Sequence, residues 1–147
     1  MSSKRKLAMD DKTYEKTKAE IKELVNKWVK ILKLDNYIIT SEYSRGVCHE
    51  APDRAAITRV YWDYQEATIT FYLDLMTDAY KSMEHVVVHE LVHILLAPEQ
   101  ANLSDEYNQQ MEFTTECVTL RLLAMEKELN EQCDLVRRQK KLSKKVS

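Results

Sequence analysis

His89 and His93 lie four residues apart in the run HVVVHELVHILL, residues 85 to 96, with Glu90 between them. Imidazole nitrogens are ligands for zinc and its neighbours, and a carboxylate beside a metal can move a proton. Whether the three can act together depends on the backbone that carries them. On a strand the two rings would stand about 13 Å apart, at roughly 3.3 Å per residue, too far for one ion to bridge. On a helix the rise is about 6 Å and both rings point the same way. Two imidazoles so placed can each reach one zinc at about 2.0–2.1 Å. The three consecutive valines favour a strand. The length of the run between Ser82 and Pro98, and its lack of alternation, favour a helix. A helical wheel gathers His85, His89 and His93 into one stripe with Glu90 at its edge. Val87, Val88, Leu91, Ile94 and Leu95 fill most of the rest. A helix this apolar is buried on most sides, so its polar stripe requires partners. A metal supported by carboxylates is one solution, and core hydrogen bonds are the other.

The elements that must position this stripe follow from periodicity. Residues 11 to 34 predict an amphipathic helix, with Ile21, Leu24, Val25, Trp28, Ile31 and Leu32 at helical spacing. Tyr37 to Tyr43 reads as a strand. SRGVCHEAPDRA, which holds the single glycine, Gly46, and Pro52, reads as a loop. Two further strands are expected around AAITRVYW and ATITFYLDL, joined through Asp63 to Glu66 as a hairpin. Ser82 is the expected N-cap of the histidine helix and Pro98 its stop. A long last helix is expected from Ser104-Asp105-Glu106 past Met125, towards Arg138. The class is α+β: an N-terminal helix, a small three-stranded antiparallel meander, the histidine helix and a long C-terminal helix. Residues 1–10 form a basic N-terminus, 11–136 one domain, and 137–147 a basic C-terminal tail.

Composition narrows the partners. The chain of 147 residues holds one core, and no segment is apolar for long enough to span a membrane. The N-terminus lacks the apolar region of a secretory signal. Cys48, Cys117 and Cys133 are an odd number without CxxC spacing, which fits a reducing compartment and suggests the cytoplasm. Net charge is only −2, which proposes no polyanion for the whole chain. The cations of 137–147 allow a weak nucleic-acid contact through that tail. Leu122, Met125, Leu129, Cys133 and Val136 make a thin apolar seam through which a homodimer could form.

HELVH resembles the HExxH signature of zinc metallopeptidases, the zincins. The order of elements also resembles small metallopeptidase-like proteins of phages and prophages, over roughly residues 11 to 125. The resemblance implies Zn²⁺ held by His89 and His93, with Glu90 as general base for hydrolysis of a peptide or amide bond. It also implies a minimal zincin-like domain in which an edge strand lies beside the motif helix. If the strand Ala67 to Leu73 is at the sheet edge, it is the one to pair with an extended substrate. Leu96 and Glu99 stand where the metzincin pattern has its glycine and third histidine, and no histidine follows His93. The third ligand is then a carboxylate among Asp105, Glu106, Glu112 and Glu116, as in gluzincins. Glu116, in the context ECVTLRLL, is narrowly preferred, with Glu112 the alternate, and either can instead be the acceptor that orients a histidine ring. His85, one turn before His89, is expected to support the site rather than ligate. The competing function is a catalytically silent zinc-binding phage protein that acts through protein or nucleic-acid binding.

Overall fold

The computed structural model describes residues 9–76, 82–97 and 105–146. Pro98 and Ser104, expected at helix ends, lie outside the described residues. Helix α1 spans Asp11–Ile31, and the Asp10 side chain accepts a hydrogen bond from the Thr13 amide as its N-cap. It ends where Lys33 enters the left-handed region at φ 53°. Strands β1 (Ile38–Ser44), β2 (Ala56–Tyr61) and β3 (Glu66–Tyr72) follow, then a short helix α2 (Leu73–Met76). Helix α3 covers Met83–Leu95 and helix α4 covers Asp105–Val146. The α+β class and the two flanking helices are as the sequence predicts.

The sheet departs from the expected meander. Its order is β1-β3-β2, with β1 parallel to β3 and β2 antiparallel to it. β3 is the central strand, not an edge. The physical reason lies in its inner face: Ala67, Ile69 and Phe71 are almost wholly buried, which favours a neighbour on both sides. The long connection over residues 45–55 lets the chain leave β1 and return two strand positions away. Leu73 is buried as expected, but on α2, because the strand ends at Tyr72. The β2–β3 hairpin turns through residues 62–65, with Gln65 at φ 53°.

α3 runs through the middle of the molecule, against α1, α4 and β2. Its apolar residues Val87, Val88, Leu91, Val92 and Ile94 are fully buried and join Ile21, Trp28, Ile69 and Phe71 in one core. This is why a valine-rich run is helical here: most of its sides meet another element, so packing outweighs the weak preference of valine for strands. Polar contacts fix the arrangement at one corner. Glu84 on α3 accepts from Trp28 Nε1 at 2.8 Å and from Lys27 Nζ at 2.7 Å. Lys27 also pairs with Glu126 on α4 at 2.9 Å, tying three helices together.

Candidate metal centre

The Ser82 side chain accepts a hydrogen bond from the His85 amide at 3.2 Å and starts α3 in the register that aligns the histidines. His89 and His93 then project from adjacent turns, their ring centroids 4.8 Å apart and their planes near perpendicular. α4 lies alongside α3 in the opposite direction and brings two carboxylates to the stripe. A helical row on α4, Glu112, Thr115, Glu116 and Thr119, faces α3. Both threonines are fully buried, and such small side chains let the helices approach closely.

The contacts form one continuous chain of groups. His85 Nε2 lies 2.7 Å from Glu116 Oε1, and His89 Nδ1 lies 2.8 Å from Glu116 Oε2. On its other side His89 Nε2 lies 2.9 Å from Glu112 Oε1, and His93 Nε2 lies 3.2 Å from Glu112 Oε2. Both nitrogens of His89 therefore face carboxylate oxygens, and only a doubly protonated ring can donate to both. Burial disfavours that charge, but Glu112, Glu90 and Glu116 outweigh it and hold the His89 pKa above its ordinary value. The same contacts, His89 first and then His93, hold the Glu112 carboxyl far below the usual carboxylate range.

His89, Glu90 and His93 form a group that could hold a metal ion, and Glu112 lies against both histidines. Four ligands at about 2.0–2.1 Å in a tetrahedron stand about 3.3 Å from one another. The gaps from Glu112 to the two Nε2 atoms are close to that edge length. Nδ1 of His89 points the other way, to Glu116, which is the arrangement that orients a metal-binding histidine and strengthens its basicity. One member of the stripe is more deeply held. Glu90 is 7 % exposed, and Thr58 Oγ1 on β2 donates to its Oε2 at 2.5 Å. Ligand atoms of His89, Glu90 and His93 all lie within 4.8 Å of one another.

His85, His89, His93, Glu112 and Glu116 thus lie in one cluster, with Glu90 beside His89 and His93. The side chains of Asp105 and Glu106 lie outside the described residues. Two residues of the site were not foreseen. Thr58 is one of several polar residues in β2, and only the position of that strand at the sheet edge beside α3 shows what it touches. Arg54, in the loop before β2, lines a cavity of about 310 Å³ together with His93, Asn108, Gln109 and Glu112. An arginine in a loop carries no spacing signal that could have pointed there.

No family model, curated protein or solved structure matches this chain. Among the described residues, no helix is long and apolar enough to cross a membrane.

Proposed function

We propose that this protein is a zinc-dependent metallopeptidase whose metal is held by His89, His93 and Glu112. The observation that carries the proposal is the Glu112 carboxylate spanning the Nε2 atoms of both histidines. Glu112 thereby replaces Glu116 as the preferred third ligand. Glu116 becomes the acceptor that orients His89, with His85 holding its other oxygen. When bound, zinc supplies a Lewis acid for a carbonyl oxygen and brings the pKa of its water towards 7.

The chain's own residues do the rest. Glu90 takes the proton from the attacking water and delivers it to the leaving amine. Thr58 fixes one oxygen of that carboxylate and leaves the other for the proton. β2 is the edge strand beside α3, and its unpaired side is suited to an extended peptide, which would bind through its backbone. Arg54 lines the cavity that reaches His93 and Glu112, and its guanidinium is the group there suited to a peptide carboxylate or a developing oxyanion.

The test compares the zinc-loaded wild type with zinc-loaded Glu90→Gln on a mixture of unstructured peptides. Loss of general-base catalysis costs about 10²- to 10⁴-fold in rate. Cleavage by the wild type that falls by that factor supports the proposal. Equal absence of cleavage in both, with zinc retained, would make this a metal-stabilised binding protein.

A further inference from the structure

The last part of α4 raises a question that the metal centre does not answer. Every residue from 127 to 146 is exposed, although the segment is helical throughout. A helix exposed along this whole length is only marginally stable in water, since most helical stability comes from packing an apolar face. Such a face is present. At 100° per residue, Met125, Glu128, Leu129, Gln132, Leu135, Val136, Gln139, Leu142, Ser143 and Val146 share one side, on which six residues are apolar, Glu128 is the one charge and no lysine or arginine falls. Met125, Leu129, Leu135, Val136, Leu142 and Val146 are all large and exposed. Leu122, expected in this seam, instead packs on the domain core.

Charge along the same segment is divided. Glu128, Glu131 and Asp134, with Lys127, occupy its first half, and Arg137, Arg138, Lys140, Lys141, Lys144 and Lys145 its second. We infer that this segment forms an antiparallel two-helix coiled coil with a second copy of the chain. Antiparallel pairing about Leu135 and Val136 lays the acidic half of each copy along the basic half of the other. Leu129 then stands level with Leu142 of the second copy, and Glu131 with Lys140. Lys127 beside Lys144 is the one unfavourable match. Parallel pairing would set acid on acid and base on base. The stripe covers about three heptads, near the least that sustains such a pair. A nucleic-acid backbone is a poorer match: it would engage the basic half, repel the acidic half and leave the apolar stripe in water.

The experiment uses the full chain. Sedimentation equilibrium should show a dimer, weakened by about 100-fold or more in the double variant Leu135→Lys, Val136→Lys. Orientation is read by thiol cross-linking in a Cys117→Ser, Cys133→Ser background. A mixture of Leu129→Cys and Leu142→Cys chains, one enlarged by a tag, should give chiefly the mixed product. Predominant Leu129→Cys homodimers would overturn the antiparallel arrangement. A monomer at about 100 μM would overturn the inference, as would a monomer that instead binds nucleic acid with a steep salt dependence. Neither outcome depends on whether the metal centre is catalytic.

Discussion

Glu112 and Glu116 are one helical turn apart and touch the same histidine, yet their substitutions should differ in kind. Glu112→Gln removes a proposed ligand and is expected to abolish zinc retention through a desalting column. Glu116→Gln removes the acceptor at His89 Nδ1, and comparable losses weaken metal affinity about 10- to 100-fold without abolishing binding. Competition with a chromophoric chelator distinguishes the two. If Glu116→Gln loses zinc and Glu112→Gln keeps it, the ligands are exchanged. Protons give a second test at this scale. Zinc must displace the proton that His89 Nε2 shares with Glu112, and the His89 pKa is raised above its ordinary value, so binding should release protons, and more of them as the pH is lowered from about 8 towards 6. Calorimetry in two buffers of different ionisation enthalpy measures the release. The metal-free protein has the matching pH dependence. The depressed Glu112 contributes stability above pH 4.5 that is lost as pH falls through its folded value. The raised His89 contributes stability below pH 6.5 that is lost as pH rises through its folded value. The melting temperature without metal should therefore peak between those pH values, and zinc should move the peak upward.

At the scale of elements, the site depends on α3 being a helix and on α4 lying against it. His89, Glu90 and His93 were legible because a five-residue pattern on a helix dictates where its side chains go. Glu112 and Glu116 were legible as a pair, because a return helix brings both to the stripe. Their division of labour was not, since it turns on which ring nitrogen each carboxylate meets. The sheet was legible as three strands but not in its order. Local alternation in ATITF reports a buried face, whereas strand neighbours are set by long-range pairing across the 45–55 loop. In the proposed function, the strand offered to an extended peptide therefore passes from β3 to β2. Two substitutions test the packing. Trp28→Ala removes a wholly buried indole and one of the two donors to Glu84, so it should destabilise by about 3–5 kcal/mol in denaturant melts. Thr115 Oγ1 is buried at the α3–α4 contact and has no hydrogen-bond partner among the described residues. Thr115→Val should raise stability by about 1 kcal/mol and leave zinc content unchanged. A loss of stability there would mean that the hydroxyl has a partner in solution.

For the whole molecule, the metal would join the helix that anchors the core to the helix that extends beyond it. α3 is held on several sides by α1, β2 and the core. α4 is held by one buried row, by the Lys27–Glu126 pair and by its carboxylates on the histidines. Without metal, α4 is the element expected to open first. Hydrogen exchange should show amides of residues 108–123 slowed by zinc, with those of 127–146 unaffected at concentrations where the chain is monomeric. Metal content of the purified protein, by elemental analysis of wild type beside Glu112→Ala and Glu90→Gln, tests the centre most directly. About one zinc per chain in wild type and Glu90→Gln, and none in Glu112→Ala, is the expected result. A wild type without zinc after reconstitution would contradict it and leave the histidines and carboxylates as a buried hydrogen-bond network.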